Sequence, residues 1–97
     1  MQFLVLAYDA RDEAAPQRRL DAREAHLTSI AKFKETGNIR MGAAILDDDG
    51  KMVGSCIVAE FDNRGALDAW LATDPYIIND VWEDVFVQGC KVAPVFL

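Results

Sequence analysis

The stretch Thr73-Asp74-Pro75-Tyr76 interrupts the chain between an amphipathic run and the last apolar segment, and the order of elements is assigned around it. Pro75 has a fixed φ and no N–H donor, which suits the first position of a helical turn. Asp74 stands just before it, where a carboxylate can cap that turn. The stretch therefore predicts the end of one helix and a sharp redirection of the chain.

On the N-terminal side of this stretch, Arg64–Leu71 has the apolar spacing of a short helix, with Asp62 or Asn63 as its cap. Its buried face is predicted to hold Ala66, Leu67, Trp70 and Leu71. On the C-terminal side, Ile77–Asp80 reads as a short link. Val81–Val92 is rich in Val, Trp and Phe and predicts a long final strand, after which Pro94 closes an extended tail.

The N-terminal part predicts a strand followed by a long helix. Phe3–Tyr8 is an uninterrupted apolar run, which indicates a strand covered on both faces. The polar segment Asp9–Ala15 leads to Pro16, and a helix is expected from Pro16 to about Thr36, ended by Gly37-Asn38. Its apolar side is predicted to hold Leu20, Leu27, Ile30, Ala31 and Lys34.

A basic row lies beside or within the apolar side of that helix. Arg19, Arg23 and His26 are four and three residues apart, a spacing that places them on one stripe. Charged groups next to a buried surface need partners, so this stripe is expected to face acidic groups or a ligand.

The middle of the chain predicts a hairpin. Ile39–Leu46 and Lys51–Phe61 read as strands, and Asp49-Gly50 between them is a strong turn signal. The three aspartates Asp47–Asp49 are interpreted as a solvated turn, because the run lacks the alternating ligands and terminal glutamate of a calcium loop. No metal site is expected there.

Small residues and cysteines stand out inside these strands. Gly42 and Gly54 indicate a bulge or a close approach of another group. Cys56 and Cys90 lack the C-x-x-C spacing of a metal or redox motif and are interpreted as reduced, packed thiols.

Composition narrows the class of protein. With 97 residues and 52% hydrophobic content, the chain is expected to form one domain, residues 1–97. A net charge of −6 and dispersed cations argue against a nucleic-acid surface. No apolar run has the ~20 residues of a membrane span, and no basic n-region of a signal peptide precedes the first apolar run. A cytoplasmic protein without membrane or nucleic-acid partners is the resulting expectation.

The order strand, helix, strand, strand, helix, strand predicts an α+β, ferredoxin-like βαββαβ fold with a four-stranded antiparallel sheet. Two helices cover one face of the sheet. The strands, however, carry apolar residues at successive positions and therefore on both faces, as in Leu4 and Val5, Ile57 and Val58, and Val85 and Phe86. An uncovered apolar face of this size is a binding or assembly surface. A homodimer in which two sheets pack together, a dimeric α/β-barrel-like assembly, is therefore expected.

The N-terminal strand, the helix that contains Arg23-Glu24-Ala25-His26-Leu27, the strands that contain Gly42 and Gly54, the second helix and Asp74-Pro75-Tyr76 follow one another in this order. Together they resemble the YciI-like (YCII-related) domain. The resemblance covers nearly the whole chain, and its most specific parts are His26-Leu27 on the first helix and Asp74-Pro75-Tyr76 after the second. It implies a dimeric ferredoxin-like domain in which His26 and Asp74 form the active site. It also implies chemistry of the kind that a chloromuconolactone dehalogenase performs. The chain departs from the family at Ile77-Ile78-Asn79-Asp80, where a glycine is common, and a bulkier lip of the cleft is expected there.

The resemblance and the residue chemistry together suggest roles for five residues. His26 would act as the acid or base, because an imidazole exchanges protons near neutral pH, and Asp74 would orient it. Arg23 could hold a substrate carboxylate through two contacts, and Ser55 or the hydroxyl of Tyr76 could add a hydrogen bond. No cofactor is implied.

Two further functions remain open, together with a structural interpretation of each site residue. One is a non-catalytic dimeric module that binds a small ligand or serves an assembly. The other, suggested by analogy with other dimeric ferredoxin-like proteins, is a cofactor-free monooxygenase that acts on aromatic substrates. Asp74 can be a helix cap alone, and Arg19 and Arg23 can pair with acidic residues of a partner subunit. Tyr76 and Trp82 are compatible with a core or interface role.

Overall fold

The computed structural model describes residues 1–97. Its strands are β1 (Gln2–Asp9), β2 (Ile39–Leu46), β3 (Met52–Glu60) and β4 (Trp82–Cys90), its helices are α1 (Ala15–Glu35), α2 (Arg64–Leu71) and α3 (Pro75–Ile78), and a 3-10 turn spans Pro94–Phe96. The strands form one antiparallel sheet in the order β2-β3-β1-β4. This is the predicted ferredoxin-like βαββαβ arrangement, with α3 as an additional short helix before the last strand.

The β1 strand is buried on one face only. Phe3, Val5 and Ala7 are buried on the side that the helices cover, whereas Leu4 is half-buried and Tyr8 is 38% exposed. The prediction of a strand covered on both faces was wrong, because both helices lie on the same side of the sheet. The open face carries Leu4, Val58 and Phe86, and Phe86 is 58% exposed.

Helix α1 packs through a side that agrees only in part with the one that apolar spacing predicted. Ile30 packs against the core as expected, but Leu20 and Leu27 are 57% and 45% exposed. The buried residues of α1 include Ala22 and two polar residues, His26 and Arg19, of which Arg19 has polar partners in the interior. The prediction was wrong for the leucines because a small residue and partnered polar residues take their place against the sheet.

The two turns that position the other elements have clear local causes. In the β2–β3 turn Gly50 has φ +81°, and Oδ1 of Asp47 accepts hydrogen bonds from the backbone N–H groups of Asp49 and Lys51. At the start of α2 the side chain of Asn63 accepts from the N–H of Ala66. The predicted hairpin turn is confirmed, and Asn63, not Asp62, is the cap.

Gly54 has no room for a side chain. A Cβ atom at this position would lie 2.5 Å from the backbone oxygen of Ala7, whereas one on Gly42 would make only ordinary contacts at 3.8 Å. The close approach predicted for these glycines is therefore found at Gly54, which keeps β3 tight against β1.

Two predictions about the C-terminal part were wrong. Cys90 is exposed rather than packed, because the end of β4 is an edge with no helix over it, while Cys56 is half-buried. The tail is not extended: Pro94 begins the 3-10 turn, in which its fixed φ is favourable.

Candidate active site

Three elements bring the candidate site together. Helix α1 contributes Arg19, Arg23 and His26, β3 contributes Ser55, and α3 with its cap contributes Asp74 and Tyr76. Packing of α1 against α3 brings together residues 48 positions apart in the chain.

Asp74 is a helix cap and the partner of the histidine at the same time. Its side chain is fully buried, and Oδ1 accepts a hydrogen bond of 2.9 Å from the backbone N–H of Tyr76 at the start of α3. Nδ1 of His26 lies 2.8 Å from Oδ1 and 3.1 Å from Oδ2 of the same carboxylate. The two interpretations of Asp74 are thus combined in one side chain.

This contact fixes the tautomer of the neutral imidazole. An ionised carboxylate can only accept hydrogen bonds, so Nδ1 of His26 carries a proton and donates a hydrogen bond to Asp74. In the neutral ring the lone pair is then on Nε2. Nε2 makes no hydrogen bond within the protein and is not fully buried, which leaves it available as a proton acceptor.

Two aromatic rings hold the imidazole in place. The ring of Tyr76 stacks on His26 with a centroid distance of 3.9 Å and an interplanar angle of 13°. Trp82 meets His26 edge-on at 5.7 Å and Tyr76 at 5.4 Å. Because the hydroxyl of Tyr76 has no protein partner and is not fully buried, it remains able to bond a ligand.

Arg19 occupies the interior beside this aromatic group. Its Nε donates to Oδ2 of Asp9 at 2.8 Å, and its Nη2 donates to the backbone oxygen of Gly54 and to Oγ of Ser55. The guanidinium lies 4.8 Å from the centre of the Tyr76 ring, in cation–π geometry. Burial of both charges makes this pair sensitive, because removal of one partner leaves an unpaired buried charge.

The site opens into a cleft of about 470 Å³ between α1, β2 and β3. The charged residues that line it are all basic, although the whole chain has a net charge of −6. Two of them are compensated by neighbours: Arg40 pairs with Glu60, whose pKa its hydrogen bond lowers, and Arg19 pairs with Asp9. The other two, Arg23 and Lys34, have no acidic partner within 4 Å.

All five residues singled out in the sequence line or adjoin this cleft. His26 and Asp74 are in contact, while Ser55, Tyr76 and Arg23 are on the cleft wall, Arg23 with an exposed side chain. No site role was predicted for Trp82 or Asp9. Arg19 was part of the predicted basic stripe, and a basic residue beside the apolar side of a helix was the signal for the polar network that lies beneath α1.

Comparison with known proteins identifies the family. The model of the YCII-related domain matches residues 1–91. The chain belongs to this family. Protein YciI of Escherichia coli O6:H1 is 32% identical over 97 residues, which cover 94% of this chain and 97% of that protein. A Haemophilus influenzae protein is 28% identical with the same coverage.

A solved enzyme structure has the same fold as this YCII-related chain. It is the 5-chloro-2-hydroxyhydroquinone dehydrochlorinase (TftG) of Burkholderia phenoliruptrix AC1100 in complex with 2,5-dihydroxybenzoquinone, with a TM-score of 0.81, 26% identity and 94% of each chain covered. The Mycobacterium tuberculosis protein Rv0793 has a TM-score of 0.55 at 15% identity, covering 96% of this chain and 97% of that one, and shares the fold alone.

The chain contains neither a helix suited to a membrane nor a cluster of metal ligands. None of its helices has the length and apolar character that crossing a membrane requires. Histidine, cysteine and acidic side chains nowhere gather in a group of three or more that could hold a metal ion.

Proposed function

We propose that this protein is an enzyme that transfers a proton with the His26–Asp74 pair on a small anionic substrate, in a lyase, dehalogenase or isomerase reaction. The observation that carries the proposal is the buried imidazole with Nδ1 bonded to Asp74 and Nε2 free at a cleft whose charged residues are all basic. The similarity to a dehydrochlorinase of the same fold supports elimination of a halide as the reaction type.

His26 and Asp74 would divide the work of such a reaction. In a dehydrohalogenation a base removes a proton, the electron pair left behind forms a double bond, and the halide leaves with the electrons of its own bond. Nε2 of His26 would take the proton, and the carboxylate of Asp74, 2.8 Å from Nδ1, would stabilise the resulting imidazolium. Proton transfer to a positioned side chain of this kind contributes typically about 10²–10⁴-fold to the rate.

The charges around the cleft favour an anionic substrate. Arg23 and Lys34 lie on the cleft wall without acidic partners, so a carboxylate, lactone-ring enolate or phenolate would supply the missing negative charge. Arg23 has the guanidinium fork that binds a carboxylate through two parallel hydrogen bonds. Tyr76 and Ser55 would bond oxygen atoms of the same substrate.

The test is release of chloride or of a proton from 5-chloro-2-hydroxyhydroquinone and from chlorinated muconolactones. The parent protein is expected to turn over at least one of them, and His26→Ala to lose activity by about 10²-fold or more while it still binds the compound. Binding without turnover in the parent would refute the enzyme and support the alternative, a non-catalytic ligand-binding or assembly module.

The role of Arg23 has its own control. Arg23→Gln is expected to raise KM and to change kcat little, because the contact holds the substrate and takes no part in proton transfer. Lys32→Gln removes a cation from the same helix that does not line the cleft, and it should leave both constants unchanged. Equal effects of the two substitutions would mean that Arg23 acts only through the general charge of the helix.

A further inference from the structure

The hydroxyl group of Ser55 has an unusual set of neighbours. Its Oγ accepts a hydrogen bond of 2.8 Å from Nη2 of Arg19 and one of 3.2 Å from Nε1 of Trp82. A serine hydroxyl has two acceptor lone pairs and one O–H donor. Arg19 and Trp82 have no lone pair to offer in return, so both acceptor positions of Ser55 are filled by groups that can only donate.

The remaining capacity of Ser55 is therefore its proton. Ser55 donates no hydrogen bond to any protein group, and its side chain lines the cleft that also holds His26 and Tyr76. Trp82 links these residues, because its indole contacts the His26 ring edge-on and bonds Oγ of Ser55.

We infer that Arg19 and Trp82 are positioning residues that make Ser55 an obligate hydrogen-bond donor, so that this part of the cleft selects an acceptor oxygen of the substrate, such as a carbonyl, carboxylate or phenolate. The inference rests on the proposed function for the presence of a substrate and adds which end of the substrate faces Ser55. A substrate hydroxyl or ammonium group that had to donate at this position would leave Ser55 without an acceptor.

Arg19 also makes the Ser55 hydroxyl a stronger hydrogen-bond donor. Its positive charge, held by Asp9, polarises the Ser55 hydroxyl through the hydrogen bond to Oγ. An O–H group whose oxygen is bonded to a cation is a better donor, and cooperative polarisation strengthens hydrogen bonds in a chain. The site can thus stabilise negative charge that develops on a substrate oxygen through a neutral hydroxyl group.

The first experiment does not depend on any ligand. The indole Nε1–H resonance of Trp82 in the parent should appear downfield and be protected from hydrogen exchange, and Ser55→Ala should move it upfield and speed its exchange. Trp70 provides an internal control, because its indole N–H is buried without an acceptor and should not respond. An unchanged Trp82 resonance in Ser55→Ala would overturn the inference whatever the protein's function is.

The second experiment measures binding of 2,5-dihydroxybenzoquinone, a ring whose two carbonyl oxygen atoms are acceptors. Ser55→Ala should weaken binding by about 3- to 10-fold, the effect of losing one hydrogen bond. Ser55→Cys, which puts a thiol, a weaker donor, in place of the hydroxyl, should give an intermediate loss. Trp82→Phe should weaken binding in the parent and have little further effect in the Ser55→Ala background, because Trp82 acts through Ser55.

The outcomes separate the two proposals. Additive effects of Ser55→Ala and Trp82→Phe, or equal binding by Ser55→Ala and the parent, would overturn the inference while leaving the His26–Asp74 proposal intact. Binding in the parent with the expected losses but without turnover of any chlorinated substrate would refute the proposed enzyme and leave Ser55 as the selective donor of a binding site. Failure of the parent to bind the probe at all would overturn the inference, while the His26–Asp74 proposal would still be decided by turnover of the chlorinated substrates.

Discussion

At the scale of single residues, Asp74 decides what His26 can do. Its carboxylate accepts hydrogen bonds from Nδ1–H of His26 and from the backbone N–H of Tyr76. It therefore fixes the tautomer of the imidazole and the position of the Tyr76 ring. The charge and the shape of this side chain have separate effects. An amide of the same size would keep the cap and the acceptor oxygen but would lose the negative charge.

Asp74→Asn should therefore separate charge from structure. Asparagine is as good a helix cap as aspartate, so the free energy of unfolding should change by less than about 1 kcal/mol. Its Oδ1 would keep both the cap and the hydrogen bond from Nδ1 of His26, but without the negative charge that stabilises the imidazolium, and proton transfer should fall by about 10²–10⁴-fold. Urea unfolding and turnover of the chlorinated substrates measure the two effects separately. Turnover by the variant at the rate of the parent would contradict the role given to Asp74.

The candidate site was predictable at this scale only in part. His26 and Asp74 came from a family resemblance, since nothing in their own spacing says that residues 48 positions apart meet. Arg19 was visible as a basic residue on an apolar side. Its bond to Ser55 was not, because that contact depends on the helix α1, the strand β3 and the packing distance between them.

At the scale of secondary-structure elements, the sequence predicted the ends of helices and strands best where a cap or a turn residue satisfies a backbone group. The bounds of α2 and β2 agree with the prediction because caps and turn residues determine them. The face of α1 was predicted only in part: Ile30 packs against the core, but the positions predicted for the leucines are exposed because Ala22 and two polar residues with interior partners pack there instead. Tertiary contacts overrode the local pattern there.

The cap of α2 provides a test with a matched control. Asn63→Ala removes the side-chain oxygen that accepts from Ala66 N–H and should destabilise the protein by about 1 kcal/mol, as loss of a cap commonly does. Asp62→Ala changes the adjacent residue, which makes no capping bond, and should stay within about 0.5 kcal/mol of the parent. Urea unfolding measures both. Equal losses would mean that Asn63 does not act as the cap.

The ion pair between Asp12 and Arg18, at the N-terminal end of α1, depends on pH. Arg18 makes two hydrogen bonds of 2.7 Å to the carboxylate of Asp12, and they hold the pKa of Asp12 at about 2, below its usual 3.8. Because the folded pKa is depressed, the stabilisation is fully present above pH 3.8 and is lost as the pH falls through about 2. The salt bridge is exposed, so its contribution will decrease with added salt.

Carboxyl ¹³C titration should find this behaviour. The Asp12 resonance is expected to titrate at about 2 in the parent. In Arg18→Gln the pKa should rise toward the ordinary value, because the largest cause of the shift, the side-chain hydrogen bond from Arg18, is gone. Titration near 3.8 in the parent would show that the pair does not persist in solution.

At the scale of the whole molecule, the sheet has two different faces. One is covered by helices and contains the core, while the other presents Leu4, Val58 and Phe86 without any covering element. The sequence predicted this asymmetry correctly from apolar residues at both parities. We propose that a second copy of the chain covers the open face, as the family resemblance implies.

Substitution on the open face tests the dimer. The parent should elute and scatter light as a dimer, and Phe86→Glu should dissociate it, because a buried unpaired carboxylate at a sheet interface is costly. Leu20→Glu is the control: Leu20 is 57% exposed and Phe86 58%, but Leu20 lies on α1, away from that face. A parent that is monomeric at high concentration, or a Leu20→Glu variant that dissociates equally, would contradict the proposed interface.

The Asp74 carboxylate joins the folding of α3 to the position of His26, because it accepts hydrogen bonds from the Tyr76 backbone and from the imidazole. Helix α3 is only four residues long and begins at that carboxylate, and the same helix carries the ring that lies flat on His26. A helix of one turn has little stability of its own. Any opening of α3 would therefore release the imidazole from both its partners at once. Reactivity and local folding are then coupled equilibria, and hydrogen exchange at the Tyr76 amide would measure the fraction of molecules that are ready to react.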